Sequence, residues 1–288
     1  MTKFRALFAA LNQRQPILAR LGWVMLIIVV LCLMAAVIDG RTINGVSVWV
    51  KPAKFAASFV AWFWTMAWAW GVLAPAARDG WVARIVLWGT VLAATFEQGW
   101  ILLRAALGLP SHFATDRVGE IAYRLMGLGA MTLVFLALLL GILVLLRGDQ
   151  QQPKNWRLAV GLGLAITGIL GGVTGATIST VTTPYIGGTM TDATNFAPFF
   201  WSRDGGDLRT AHFLAVHAMQ ALPALVLLMQ SVKPAGVGIA EKSKASRSLV
   251  VRSPLSVPDS RVNRPTRYTA SGARGHFWHG IGQHELHH

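Results

Sequence analysis

An all-α bundle of about six membrane-spanning helices is the architecture this chain predicts, and three observations carry that reading. Of its 288 residues 54% are hydrophobic and 13% charged, with a mean hydropathy of +0.50, a membrane composition rather than that of a soluble domain. Six apolar runs, at 22–38, 55–74, 81–107, 123–146, 158–177 and 208–231, are long enough to cross about 30 Å of hydrocarbon at about 1.5 Å per residue. The net charge of +14 gathers at the ends of the chain: Lys3, Arg5, Arg14 and Arg20 give the first twenty residues +4, and the segment from Lys233 onward carries +6.

That charge pattern divides the chain into a basic N-terminal segment (1–21), a six-span domain (22–232) and a basic tail (233–288). A basic excess flanking apolar runs is the positive-inside signature, so it needs no nucleic acid to explain it; the bilayer is the partner it implies. With six spans both termini fall on one side, together with Arg147, Lys154 and Arg157, while the loop 178–207 opposite has one Arg against three Asp. The termini are therefore expected in the cytoplasm and the chain in a bacterial inner membrane as a multi-pass protein.

The first run has the length of a signal peptide, but Asp39-Gly40-Arg41 after it is a poor cleavage site, and it reads as an uncleaved anchor. Cys32 inside it is the lone cysteine, so no disulfide within the chain is possible. The second run opens with Lys51-Pro52, with proline in the first helical turn where its missing N–H is harmless, and its second half carries Trp62, Trp64, Trp68 and Trp70, which read as helix packing or an aromatic belt. The third run holds Glu97 with no other acid or base between Arg84 and Arg104. A charge there costs about 2.5–3.5 kcal/mol, so it normally faces a partner or a water-filled cavity.

The fifth run carries Gly168, Gly171, Gly172 and Gly175 in two overlapping small-xxx-small patterns, which let another backbone approach closely, either a helix of this chain or one of a second copy. The loop 178–207 is rich in Thr, Gly and Pro and ends in Phe196, Phe199, Phe200 and Trp201; a connection that long forms a lid, or its aromatics rest at headgroup level. The sixth run begins Gly206-Asp207-Leu208-Arg209, with Asp207 placed to cap it, and Pro223 is expected to kink it. Beyond Pro234 apolar periodicity stops. The tail reads as disordered or as out-of-frame sequence, and its histidines, His276, His279, His284, His287 and His288, follow no metal-site spacing.

Placed on this topology, the polar residues gather toward the extracytoplasmic half. Thr90, Glu97 and Arg104 recur every seventh residue, about 20° apart per step, and share one stripe. Lys51, Lys54, Ser58, Trp62 and Thr65 fall within about 80° on the second helix, and Arg209, His212, His217 and Gln220 within about 140° on the sixth. Lys51 lies at a helix end and reads as a side chain reaching to the interface. The expected ligand site has Glu97 as the central charge and Lys54 and Arg209 as counter-charges. His112, His212 and His217 serve as hydrogen-bonding or proton-accepting groups, with Arg104 and Gln220 beside them.

Three classes of function fit that set: binding or transport of a small ligand or ion, a membrane metal or redox enzyme, and an accessory subunit. Glu97, His112, His212 and His217 are ligand types for Zn, Cu or Fe, yet His212 and His217 lack the i, i+4 spacing of a shared ion. Histidines within the membrane occur on the sixth run alone, which disfavours a haem held between two helices. No serine stands in a Gly-x-Ser-x-Gly turn. The sequence names no cofactor.

Over residues 22–231 the chain resembles a group of bacterial multi-pass membrane proteins of unassigned activity. The likeness rests on Lys51-Pro52-Ala53-Lys54-Phe55, on Ser111-His112-Phe113, and above all on Gly206-Asp207-Leu208-Arg209-Thr210-Ala211-His212-Phe213 followed by His217. It implies that these polar residues form one recurring arrangement and assigns none of them a catalytic role. The chain departs from that pattern in having Ala114 after Ser-His-Phe, where the group has Asn, and in lacking a further hydrophobic run after the sixth.

Overall fold

The computed structural model describes residues 2–111, 116–181, 183–189 and 199–231, which are predominantly helical. The segment 234–288 and His112 lie outside the described residues, as do the expectations attached to them. Helix α1 (Thr2–Arg14) precedes α2 (Pro16–Ile38), which starts six residues before the apolar run: Pro16 supplies the first turn and the Gln15 side chain accepts from the Ile17 amide. A hairpin, β1 (Thr42–Ile43) with β2 (Val46–Ser47), follows. Asn44 and Gly45 form its two-residue turn, both at positive φ, the geometry that an Asn-Gly pair adopts most readily. Periodicity over so few residues carries no strand signal, so this hairpin was not expected from the apolar pattern.

The remaining helices are α3 (Val50–Trp70), the single turn α4 (Pro75–Arg78), α5 (Trp81–Ala106), α6 (Arg117–Arg147), α7 (Lys154–Thr180), α8 (Leu208–Val216) and α9 (Ala218–Ser231), with a short pair β3 (Tyr185–Ile186) and β4 (Gly206–Asp207) ahead of α8. Four of them, α2, α5, α6 and α7, are long and apolar enough to cross a membrane; α8 and α9 qualify together as one span bent by 54°. Helix α3 is 21 residues long but less apolar, with two lysines and four tryptophans among its side chains.

The connections meet at two ends. At one, Arg41 Nη1 donates to Ala106 O at 3.0 Å and Lys54 Nζ to Phe199 O at 3.2 Å, joining the segments after α2, α5 and α7. At the other, Ala74 N donates to Arg147 O at 2.9 Å and Asp149 N to Val72 O at 2.8 Å, while the Arg14 guanidinium lies 3.6 Å over the Trp68 ring. Trp62 and Trp70 are buried in the apolar core with Phe63 and Met66, so for them packing, not an aromatic belt, is the outcome.

Helices α6 and α7 approach backbone to backbone. A Cβ added at Gly141 would stand 2.8 Å from Gly161 O, and one at Gly168 would strike Leu138. Gly172 also faces α6, whereas Gly171 meets Val216 and Gly175 meets His212 of α8. Helices of the same chain thus occupy the surface these glycines present.

Candidate functional site

Glu97 is 3% exposed, about nine residues or 13 Å from the α5 terminus at Ala106. Its carboxylate packs on α6 at Gly129, where a Cβ would come within 2.9 Å of Oε1, and Oε1 has no hydrogen-bond partner. The cation whose field reaches it is Lys51, at the head of α3. Beside it Gln98 is also buried; its Nε2 donates to Pro52 O at 3.2 Å, and its Oε1 has no partner. Two turns back on the same stripe, Thr90 is fully buried with an unpartnered hydroxyl, and Trp62 Nε1 on α3 is a buried donor in the same condition. Native interiors rarely leave so many polar atoms unmatched, and each such group needs an explanation in bound water, an ion, a proton or a ligand.

The three basic residues expected around Glu97 bind elsewhere. Lys54 donates to Phe199 O and lies 5.1 Å from the Phe200 ring centroid. Arg209 forms a two-pronged pair with Asp207, with Nη2 to Oδ2 at 2.7 Å, and its Nη2 also donates to Phe200 O at 2.9 Å. Arg104 pairs with Asp116 at 2.6 Å and donates to Pro110 O. Geometry explains the difference: each of these cations lies near a helix end, where a carboxylate or a loop carbonyl is closer at hand than a residue inside the membrane.

Asp207 caps α8 as the sequence suggested, accepting from the Arg209 amide, and it accepts from the Ser202 amide as well. Burial works to raise its carboxyl, but the bonds from Arg209 and Ser202 outweigh it and hold the group below the ordinary carboxylate range. The Arg104 guanidinium and the Gly119 amide lower Asp116 likewise. Between Lys54 and Arg209, Phe200 takes φ +60, a left-handed conformation that costs a bulky residue on the order of 1–3 kcal/mol and that the two clamped carbonyls hold in place.

Deeper, the α8–α9 pair breaks at His217, not at Pro223, which sits inside α9. The reason is a side chain inserted into the helical ladder. Thr167 of α7, fully buried, donates to Ala215 O or Val216 O, each at 3.2 Å, and accepts from Met219 N at 3.0 Å. At the break His217 Nδ1 lies 3.2 Å from Gln220 Oε1, and Gln220 Nε2 donates to Thr65 Oγ1 of α3 at 3.1 Å. His212 instead turns to α7, with Nδ1 3.0 Å from Thr174 Oγ1. Phe213 stacks at a tilt 4.2 Å from the His217 ring and meets Phe199 and Trp201 on its other side.

The expected constellation therefore resolves into layers rather than one cluster. Thirteen residues of α3, about 20 Å of helix, separate Pro52 at the Glu97 level from Thr65 at the His217 level. Among the described residues no three His, Cys, Asp or Glu side chains come close enough to hold a metal ion, so Glu97, His212 and His217 do not form the shared ligand set considered for them. Sequence reasoning passed over Gln98, Thr167 and Thr174 and gave Lys51 only a boundary role. Gln98 was open to notice as a second polar residue in the third apolar run; the Thr167 and Thr174 roles depend on which helix they face.

Compared with known proteins, the chain matches no family model, no curated protein and no solved structure. The chemistry of these side chains is what remains to argue from.

Proposed function

We propose that this chain is a six-span protein of a bacterial inner membrane, with both termini cytoplasmic, whose polar interior binds a small ligand or ion entering from the extracytoplasmic side. The observation that carries the binding reading is Glu97: a 97% buried carboxylate with one oxygen unpartnered, next to an unpartnered amide oxygen on Gln98. A buried carboxylate with an unmatched oxygen is costly in an apolar bundle, and polar groups of this kind line ligand and ion pathways. Support for the sixth crossing comes from α3, whose ends join the same two sets of connections as the four apolar helices.

Purified protein in lipid nanodiscs, heated against a panel of monovalent cations, amines and small polar solutes, tests the binding. A ligand at about 100 times its Kd should stabilise the wild type by about 2.7 kcal/mol. Glu97→Gln should keep its fold and lose that response. If the variant responds to every panel member as the wild type does, Glu97 is only a clamp between helices. Alkaline phosphatase fusions test the topology: activity is expected after Ile186 and none after Gln150, and the reverse pattern would invert the assignment.

A further inference from the structure

We infer that His217 is a ligand-contacting residue of this interior, its Nε2 lone pair held available for an N–H or O–H donor by positioning residues Gln220 and Thr65. This rests on the ligand-binding reading above and adds the ligand's chemical class at a second level of the bundle.

The bonding network points to one tautomer. Gln220 presents its amide nitrogen to α3, 3.1 Å from Thr65 Oγ1 and 3.5 Å from Ala61 O. Gln220 Nε2 is the donor to both oxygens, which leaves the amide oxygen on the opposite side. It therefore faces the histidine, and His217 Nδ1, 3.2 Å from it, must carry the proton. In a neutral imidazole the other nitrogen is then an acceptor. No group among the described residues bonds Nε2.

His212, on α8, is anchored in a similar way. Thr174 donates its one hydroxyl proton to Leu170 O at 2.7 Å, so its oxygen accepts from His212 Nδ1. Two histidines five residues apart are thus each fastened to other elements, His217 by Nδ1 to Gln220 and His212 to Thr174 and the Gly171 backbone. His217 is the one at the break, where the helical ladder is interrupted and Phe213 forms an aromatic wall beside the ring. A helix end that needed only packing has no use for a fixed tautomer. A site that reads N–H or O–H donors does: an acceptor held in place discriminates against groups that cannot donate, because an analogue lacking the proton leaves the lone pair unmatched.

The test is 15N NMR of histidine-labelled protein in nanodiscs, with His217 assigned by a His217→Asn variant. The wild type should show His217 neutral, with Nδ1 protonated and Nε2 bare. Gln220→Glu, which still accepts from Nδ1, should keep Nδ1 protonated; Gln220→Leu should release the ring toward the Nε2-protonated form that free histidine favours. A merely structural Gln220 would leave the tautomer unchanged in both variants. Methylammonium chloride should displace the Nε2 resonance, whereas tetramethylammonium chloride, with the same charge and no N–H, should not. An Nε2-protonated wild type, or equal responses to the two salts, overturns the inference. These signals come from His217 itself, so they separate its failure from that of Glu97, which the nanodisc panel reads.

Discussion

At the break between α8 and α9 a single threonine hydroxyl, that of Thr167, serves the carbonyl of Ala215 or Val216 and the Met219 amide. On α5 another buried threonine, Thr90, serves nothing, and neither do one oxygen of Glu97 and the amide oxygen of Gln98. Both regions place polar atoms inside an apolar bundle, and both are closed to solvent. In the first the protein matches them, which makes a bend reproducible. In the second it does not, which makes sense only if something else completes the set. Satisfaction, more than polarity, separates the frame of this molecule from its candidate site.

The same substitution at the two threonines breaks that comparison most directly. Thr167→Val strands two buried backbone groups at roughly 1–3 kcal/mol each, so thermal unfolding in nanodiscs should show a loss of about 2–6 kcal/mol, with Thr167→Ser recovering most of it. A loss below about 1 kcal/mol would mean the break holds itself. Acid should act next, through Asp207. Its carboxyl is depressed in the fold, so the stability it contributes is present above the ordinary carboxylate pKa of about 3.9 and is lost as pH falls through the lower folded value. Melting temperature should drop on that descent, and Asp207→Asn should flatten the profile.

Glu97→Gln removes a buried charge that has one oxygen unmatched, so the ligand-free variant should be as stable as the wild type or more so, by up to about 1 kcal/mol. Destabilisation by about 3 kcal/mol or more would show that Glu97 has a structural partner. The smallest change should come from Thr90→Val, within about 0.5 kcal/mol of wild type or slightly stabilising, because the hydroxyl it deletes makes no bond. If Thr90→Val cost as much as Thr167→Val, the contrast between the two regions would vanish.

Helix positions were legible because an apolar run of span length admits few structures, and Asp207 was legible as a cap because its role is local. Glu97 stood out because nothing near it in the chain explains a carboxylate. What escaped was pairing between distant segments. Whether Arg209 turns to Glu97 or to Asp207 depends on distances that helical periodicity does not contain. The kink was misplaced to Pro223 because a proline is visible along the chain, whereas the hydroxyl that opens the helix at His217 arrives from α7, some fifty residues earlier. The β1–β2 turn was too short for any period, although Asn44-Gly45 is a recognisable turn pair.

The limited apolarity of α3 has a consequence for how the chain is made. A ribosome delivers α2 before α3, and α2 is among the helices long and apolar enough to cross a membrane, while α3 carries two lysines and four tryptophans. Helix α3 then packs along α2, and the Trp64 ring meets that of Trp23 at a tilt, 4.8 Å between centroids. A nascent α3 is therefore expected to dwell at the translocon until α2 shields its indoles, and to settle fully only when α5 brings Gln98 to the Pro52 carbonyl. In the proposed six-span topology its commitment to the bilayer belongs to its neighbours, so the order of synthesis becomes part of the information that folds this protein.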